Sequence, residues 1–586
     1  MKRRSKPTKI ERNKKSSASL VKILRKYHKW PALVISFFLL LFAVSGIILN
    51  HRSFFSSVDI PRNWLPSEYR YYNWNLAAVK SSLNITADSV FIYGNIGVWL
   101  TDAGFSGFSD YTSGFPAGAD SRKIFSMLET ANGHIYAGAQ SGLYRLDRNN
   151  SFWEQVSIPV NEKRVAGMTQ KNDSIIIMTR SNLLIAKDCD NPDFKLITLP
   201  PAINDDQMVS LFRTLWLIHS GKIFGAAGKI FVDIMGLILI FLIFSGLLHY
   251  FAPGLLKRVS GLPARSKIKR VNRVFIKWHN KLGSMAIFFF LIITITGMFL
   301  RPPLLISIVR TKVPVLKNTW LDNPNPWFDK LRDIIWDEER QIFLYSTSEG
   351  IYYSDPHFSA GLIPFPVEPP VSVMGVNVFE KSGSGEFIVG SFSGIYRWVP
   401  EKAEVRDYIT GHPVTSVPGL ASPFGSLPVS GRLEYNGGEV IFDYARGAMV
   451  IPGSMSTNTD DSPQTVLRHA NPSGHNPGSG LAGQHEPAQV SRKMAAGFTG
   501  DRSRFEGSPH GFMPMPEIVK ENSPLPLWNL ALEVHTGRIF SPLVGDFYVL
   551  YIPVMGIVTL VVLITGLLIW VKKKRRKPVL PDAFKP

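Results

Sequence analysis

Four histidines recur in two pairs of matching sequence contexts. His219 and His535 each open a His-[Ser/Thr]-Gly-[Lys/Arg]-Ile-Phe sequence that precedes a long apolar run. His28 and His279 each lie beside Trp and Lys and are followed, 18 residues later, by the glycine of a Ser-Gly or Thr-Gly step. Neutral imidazole is a good axial ligand for haem iron, and two imidazoles can hold one iron. The four residues are therefore candidate iron ligands that form two bis-histidine pairs.

A simpler role is that these histidines only hydrogen-bond at a membrane interface, as Trp and Tyr do. The matched repetition favours the ligand role, because ionisable residues at membrane depth are costly and usually functional. His51 and His249, at the ends of the first two apolar runs, are weaker alternatives. The sequence around the first two apolar runs is repeated around the last two, and this second copy has Pro302 and Ile569 where the first has His51 and His249.

The position of His219 requires a bend in the chain. It precedes the apolar core of its span by 11 residues, which is roughly 16 Å on a straight helix. We therefore predict a kink near Gly225–Gly228 that folds the histidine back toward the span.

Four apolar runs are each long enough to cross a bilayer, which needs about 20 residues. We place these spans at residues 31–50, 229–250, 279–301 and 546–571. The first run has no small-residue cleavage site after it, so we interpret it as a retained helix and not as a signal peptide.

The net charge of +20 is concentrated beside these runs. The two terminal tails and the segment between the second and third runs together hold 27 Lys and Arg and only two acids. This distribution follows the positive-inside rule, so both termini are expected in the cytoplasm and both long loops on the outer side. The charge therefore indicates contact with membrane lipid and not with nucleic acid.

Cys189 is the single cysteine of the chain. An intramolecular disulfide is therefore excluded. Iron–sulfur clusters and structural zinc–thiolate sites need several thiolates and are excluded as well.

Both outer loops repeat a sequence pattern typical of β-strands. Apolar stretches such as 90–94, 135–138, 342–345 and 387–390 are each followed by Gly and further apolar residues, and neighbouring stretches start 45 residues apart. A β-type repeat of this period is typical of propeller blades. We predict about three blades in each loop, closing together into one propeller, with two separate small β domains as the alternative.

The predicted fold is a mixed membrane protein. A duplicated two-span unit forms a four-helix transmembrane bundle, and the outer loops form an all-β, propeller-like periplasmic domain. The predicted segments are a basic cytoplasmic tail 1–30, span 31–50, β region 51–208, an outer interfacial helix 209–228, span 229–250, a basic cytoplasmic loop 251–278, span 279–301, β region 302–450, a low-complexity linker 451–523, an outer interfacial helix 524–545, span 546–571 and a basic cytoplasmic tail 572–586.

The linker is rich in Gly, Pro, Ser, Asn and His. A solvated linker accounts for it most simply, and a labile metal-binding tract is the alternative. The four histidines that the alternative would use are His469, His475, His485 and His510.

The span motifs resemble the PepSY-associated transmembrane family. In that family, spans begin with a Leu-His-like or His-x-Gly motif and end with Thr-Gly or Ser-Gly. The resemblance covers the four spans and their flanking motifs, about a quarter of the chain. It implies a bacterial inner-membrane reductase with haem b, of the kind that reduces ferric siderophores, with His28, His219, His279 and His535 as the haem-iron ligands. The family commonly carries α+β modules in the outer loops, and the propeller-like repeats depart from that pattern.

Two function classes follow. The first is a haem b oxidoreductase, with two haems, that passes electrons from a cytoplasmic or quinone donor to a periplasmic acceptor such as ferric iron or a ferric chelate. The second is a non-catalytic receptor or scaffold whose propeller binds a peptide, glycan or protein. No glycine-rich nucleotide motif is present, so a nucleotide donor would have to bind elsewhere. A homodimer is compatible with either class.

Overall fold

The computed structural model describes residues 9–372, 375–414, 425, 427–435, 438–451 and 514–574. Most of the predicted linker, including its four histidines, and the tail from residue 575 lie outside the described residues. The helices in chain order are α1 Lys9–Asn50, α2 Arg52–Phe55, α3 Leu211–His219, α4 Gly225–Arg258, α5 Leu262–Phe299, α6 Leu304–Ile308, α7 Glu517–Glu521, α8 Leu527–His535, α9 Ser541–Val544 and α10 Tyr551–Lys574.

The chain is a multi-pass membrane protein with four apolar helices long enough to span a bilayer. The spans lie on α1, α4, α5 and α10, with a mean hydropathy between 2.2 and 2.8 in their most apolar windows. Helix α1 packs against α4 and α10, and α5 packs against the same two helices. Between 11 and 22% of each window is buried inside the protein, so most of this apolar surface is left for lipid.

The spans continue as helix beyond the apolar runs. Helix α4 extends to Arg258 and α5 begins at Leu262, so the predicted loop 251–278 is helical except at residues 259–261. The predicted basic tail is likewise helical from Lys9. Lys and Arg are good helix formers, and hydropathy reports where apolar surface ends rather than where backbone hydrogen bonding ends. The helices therefore extend beyond the predicted spans.

The segments predicted as single interfacial helices are broken by turns. Helix α3 ends at His219, and Gly221 then adopts a φ of +74° before a 3₁₀ turn and α4. A Cβ at Gly221 would lie 2.1 Å from the carbonyl oxygen of Gly228, so both the conformation and the close approach require glycine. Gly537 repeats this left-handed cap after α8, with a φ of +78°. The predicted bend is present, but it falls at residues 220–225.

The strands alternate with short connections. Up to the second span they are β1 Asp59–Ile60, β2 Val79–Thr86, β3 Ser89–Gly94, β4 Gly97–Asp102, β5 Phe108–Asp110, β6 Ile124–Glu129, β7 Ile135–Ala139, β8 Leu143–Asp147, β9 Phe152–Val156, β10 Val165–Lys171, β11 Ser174–Thr179, β12 Leu183–Lys187, β13 Lys195–Ile197 and β14 Met208–Ser210. After the third span they are β15 Lys312–Pro314, β16 Leu331–Asp337, β17 Ile342–Thr347, β18 Ile351–Ser354, β19 Ile363–Pro364, β20 Val376–Lys381, β21 Phe387–Ser391, β22 Gly394–Val399, β23 Glu404–Asp407, β24 Val429–Tyr435, β25 Gly438–Asp443, β26 Gly447–Ile451 and β27 Leu525–Pro526.

Most of these strands form small antiparallel sheets in sequence order. The first loop gives β2–β5, β6–β9 and β10–β13, and the second gives β16–β19, β20–β23 and the three-stranded β24–β26. Within the described residues, the pairs β1–β27 and β14–β15 stand apart from these six. The repeated sequence patterns fall on the middle hairpin of each sheet, so both loops contain small antiparallel sheets as predicted.

The six sheets share one construction. The first strand of each packs against the first strand of the next, and β24 of the last packs against β2 of the first. Each first strand also has a register irregularity after its first residue, as between Val79 and Ser81 in β2. A bulge locally increases twist, and its recurrence at the same place marks the six sheets as copies of one unit.

Charged side chains link first strands that are far apart in sequence. Lys80 on β2 lies 3.7 Å from Asp333 on β16. Arg432 on β24 forms a 2.6 Å ion pair with Glu380 on β20, and the Ser81 hydroxyl lies 3.3 Å from the same carboxylate. These pairs join the first, fourth, fifth and sixth sheets.

The cores of the sheets depend on aromatic residues, and Trp153 on β9 gives a direct test. Its side chain is fully buried, and its Nε1 donates a 2.8 Å hydrogen bond to the Tyr111 carbonyl. We expect Trp153→Ala to cost about 3–5 kcal/mol of unfolding free energy. Its neighbour Phe152 is 46% exposed, so Phe152→Ala should cost less than about 1 kcal/mol. Thermal unfolding of the detergent-purified chain, followed by circular dichroism, checks this; equal shifts for the two variants would contradict it.

Candidate functional site

Each of the four histidines lies against a Ser-Gly or Thr-Gly step on a neighbouring helix. In every case a Cβ built on the glycine would lie within 2.7–3.6 Å of the imidazole Cε1. The pairings are His28 with Thr565-Gly566, His219 with Thr296-Gly297, His279 with Ser245-Gly246 and His535 with Ser45-Gly46. The steps that end the spans therefore hold the histidines.

The hydrogen bonds at Nδ1 fix the tautomer of two rings. His219 Nδ1 lies 2.9 Å from the carbonyl oxygen of Ile293, and His28 Nδ1 lies 2.9 Å from that of Val562. A carbonyl only accepts, so Nδ1 carries the proton and Nε2 keeps its lone pair. This is the tautomer that binds a metal through Nε2.

His279 and His535, which lie against Ser-Gly steps, have the same tautomer. Ser245 Oγ lies 2.8 Å from His279 Nδ1 and donates to the Leu242 carbonyl at 3.1 Å. Ser45 Oγ lies 2.9 Å from His535 Nδ1 and donates to the Leu41 carbonyl at 2.5 Å. The backbone carbonyls of Leu242 and Phe42 also accept a hydrogen bond from His279 and His535, respectively, so Nδ1 carries the proton in these two rings as well. All four Nε2 atoms are thus left as acceptors.

The structure brings His219 and His535 together. Their ring centroids are 6.1 Å apart with planes inclined at 64°. Two imidazoles on opposite sides of one ion, with metal–nitrogen bonds of about 2 Å, have ring centres roughly 6 Å apart. Burial lowers the pKa of His219, and burial together with His219 lowers the pKa of His535 to about 3. Both are therefore neutral at pH 7, as a metal ligand must be.

His28 and His279 form the second group. They lie close enough to interact electrostatically, and they come from helices that each pack between α4 and α10. His28 and the Ser45-Gly46 step that holds His535 lie at opposite ends of the span on α1, separated by 17–18 residues. That separation corresponds to about 26 Å along the helix, close to the thickness of a bilayer core.

The two alternative histidines are engaged differently. His51 Nε2 lies 2.7 Å from the Asp233 carboxylate, which also accepts a 2.9 Å hydrogen bond from Asn50. His249 Nδ1 lies 3.1 Å from Asn272 Oδ1. The His51 nitrogen that would bind a metal is occupied, and neither ring contacts a Ser-Gly or Thr-Gly step.

No cluster of three or more His, Cys, Asp or Glu side chains placed to hold a metal ion occurs in the part of the chain described here. The arrangement at the histidines is instead two-fold, with one imidazole from each of two helices. Such a pair suits a metal whose remaining ligands come from a planar macrocycle.

Sequence reasoning missed the residues that orient the imidazoles. The hydroxyls of Ser45 and Ser245, and the carbonyls of Ile293 and Val562, were not predicted to contact any histidine. A signal was present, since four Ser-Gly or Thr-Gly steps accompany four histidines. Which step holds which histidine depends on helix packing, so the pattern alone did not reveal it.

A family model supplies the classification. The model described as the PepSY-associated TM region matches residues 25–341, just over half of the chain. The chain belongs to this family. The match includes His28, His219 and His279, whereas His535 and the fourth span lie beyond it.

Other comparisons assign no activity to this PepSY-associated TM chain. No curated protein matches it significantly. Similar solved structures include the extracellular domain of BT4673 from B. thetaiotaomicron (10% identity, TM-score 0.30, 66% of this chain and 40% of that one) and PorZ of Porphyromonas gingivalis (12%, 0.28, 64% and 39%). The WD40 beta propeller domain of Doa1 is a third (8%, 0.27, 65% and 96%). The chain spans about two fifths of the length of the first two, and TM-scores this low assign no fold.

Proposed function

We propose that this protein is a haem b oxidoreductase that passes electrons across the bacterial inner membrane to a periplasmic acceptor. The observation that carries the proposal is the common geometry of four histidines, each bound through Nδ1 to a neighbouring helix with Nε2 left as an acceptor. An interfacial histidine that only hydrogen-bonded would not need the same tautomer and the same glycine contact four times.

The residues fit two bis-histidine haem sites. His219 and His535 would hold one haem, and His28 and His279 the other. Bound there, haem b would supply one-electron chemistry between ferric and ferrous iron. The glycine beside each imidazole leaves the ring room to lie against its helix, and the carbonyl or hydroxyl at Nδ1 raises the basicity of the ligand nitrogen.

We further propose that the six sheets close into one propeller. The ring of contacts between first strands, from β2 through β24 and back to β2, supports a closed arrangement. The ion pair between Lys80 and Asp333 joins the first and fourth sheets, which lie opposite each other in a six-bladed ring. Side chains that meet across the middle would fill the axis rather than leave an open channel.

The proposed substrates follow from the chemistry. A one-electron carrier needs a one-electron acceptor, and ferric iron or a ferric siderophore is the class we propose on the periplasmic side. The donor would be a quinone or a cytoplasmic reductase, since the sequence carries no nucleotide-binding motif of its own.

Absorption spectroscopy tests the cofactor. We expect the protein purified from a haem-replete host to show a Soret band, α and β bands after dithionite reduction, and two haems per chain by pyridine haemochrome assay. A bis-histidine site is six-coordinate and low-spin, which electron paramagnetic resonance of the ferric form measures independently. Absence of a Soret band would overturn the proposal and favour the receptor or scaffold role.

The native cysteine tests the sidedness of the chain. Cys189 is exposed and lies in the first outer loop, so a membrane-impermeant maleimide should label it in spheroplasts without permeabilisation. In a Cys189→Ser chain, Ser266→Cys on the exposed basic end of α5 should react only after the membrane is opened. The reverse pattern would place both termini outside the cytoplasm.

A further inference from the structure

Two arginines lie beside the His219–His535 pair. Arg301 follows α5 four residues after Gly297, the glycine that contacts the His219 ring. Arg538 follows His535 by three residues, at the start of the 3₁₀ turn. Arg301 thus follows the glycine step that holds His219, and Arg538 follows His535 itself.

Both guanidiniums interact with the Glu533 carboxylate, Arg538 by direct contact and Arg301 electrostatically. Arg538 forms an ion pair with Glu533. Arg301 is partly buried, and within the described residues no side-chain hydrogen bond or ion pair holds its guanidinium. Arg301 interacts electrostatically with Arg538, Glu533 and Tyr548. The positive charge of Arg301 also acts on His535.

The Arg301 guanidinium lies in a partly desolvated position, and among the described residues it has no side-chain hydrogen bond or ion pair. A buried charge in that state is costly. A planar guanidinium offers a fork of donors that matches a carboxylate. We therefore expect its partner to be a carboxylate brought by whatever occupies the space between the two histidines.

We propose that Arg301 and Arg538 bind the propionate carboxylates of the haem held by His219 and His535. The inference rests on the proposed function, because haem b is the ligand that would carry carboxylates into this position. It assigns the two arginines a role in haem affinity and orientation that is separate from iron ligation.

The other copy of the unit provides a matched control. Lys222 occupies the position equivalent to Arg538 in the His-[Ser/Thr]-Gly-[Lys/Arg] sequence. Its Nζ lies 5.0 Å from the Trp320 ring centroid and 5.7 Å from that of Trp216. Its charge is already engaged by aromatic rings, so we expect Lys222→Met to leave carboxylate recognition unchanged.

The experiment compares haemin with haemin dimethyl ester, in which both carboxylates are blocked. Full-length chain carrying His279→Ala, which keeps only the His219–His535 site, is produced in a haem-deficient host and titrated with each compound by Soret absorbance. We expect the parent to bind haemin at least tenfold more tightly than the diester. Arg301→Gln should weaken haemin binding about 10- to 100-fold, the range for charge-assisted hydrogen bonds, and leave diester binding nearly unchanged.

Each outcome decides the inference. The inference would be supported if Arg538→Gln also weakened the binding of haemin but not of the diester, by a smaller factor, and if Lys222→Met left both affinities unchanged. Equal weakening of both compounds by Arg301→Gln would assign the arginine to packing and overturn the inference while haem binding itself stands. Failure of the parent to bind either compound, with the unmodified chain also lacking haem, would overturn the proposed function as well. If Arg301→Gln does not fold, Arg301→Lys is titrated instead and should lose part of the preference for haemin.

Discussion

His219→Ala is expected to lower the haem content from two per chain to one. The imidazole would provide one of two iron bonds at its site, and its Nδ1 hydrogen bond to the Ile293 carbonyl holds the ring in place. Alanine would remove one proposed ligand and leave only His535, so the low-spin signal of this site should disappear. His28 and His279 lie at the other end of the spans and should keep their haem.

Pyridine haemochrome quantification and electron paramagnetic resonance of the ferric protein measure this change. His51→Ala and His249→Ala are the matched controls, because each removes a histidine near a span end that contacts Asp233 or Asn272 instead of a glycine step. Both controls should retain two haems. If His51→Ala or His249→Ala removes a haem and His219→Ala does not, the ligand assignment is wrong.

Gly297→Ala is expected to remove the same haem without touching a ligand. An ideal Cβ at this position would lie 2.7 Å from His219 Cε1 and 3.1 Å from Nδ1. Carbon atoms do not approach so closely, so the His219 ring must rotate or withdraw from its present position beside His535. Displacing a proposed iron ligand by even 1 Å weakens binding strongly. We therefore expect at least a tenfold loss of haem affinity at this site.

The four glycines form a graded series that controls for helix effects. The built Cβ lies 3.2 Å from the nearest imidazole atom at Gly566, 3.5 Å at Gly46 and 3.6 Å at Gly246. The last two distances are ordinary contacts, so Gly246→Ala should retain both haems and, by its helix propensity, stabilise α4 slightly. Haem content and Soret position across the series give the measurement. Equal effects of Gly297→Ala and Gly246→Ala would show that contact with His219 is not the cause.

The sequence alone determined the features that depend on local pattern. Apolar runs predicted four spans, a 45-residue period predicted the β repeats, and duplication selected His28, His219, His279 and His535 from the thirteen histidines of the chain. These signals survive in sequence because hydropathy, strand periodicity and motif spacing act on residues that are close along the chain.

Helix ends were harder to locate from the sequence, because hydropathy marks only the apolar part of each helix. The basic segment between α4 and α5 has the composition of a loop on a hydropathy scale, yet its Lys and Arg residues continue the backbone hydrogen bonding of the spans. The kink was predicted a few residues after the turn that the structure has at Gly221. Glycine is required there because Gly221 lies close to Gly228, and this contact forms only when the chain folds back at the turn.

Only the tertiary structure decided how the histidines are used. Ser45 and His535 are 490 residues apart, and His28 and Val562 are 534 apart, so no local pattern could pair them. Four helix contacts, α1 with α10, α3 with α5, α4 with α5 and α1 with α8, assigned each imidazole to a glycine step and fixed its tautomer, and they brought His219 beside His535. The same packing placed Arg301 beside that pair. The sequence could supply the candidate ligands, but their orientation arises from helix contacts that form only when distant segments meet.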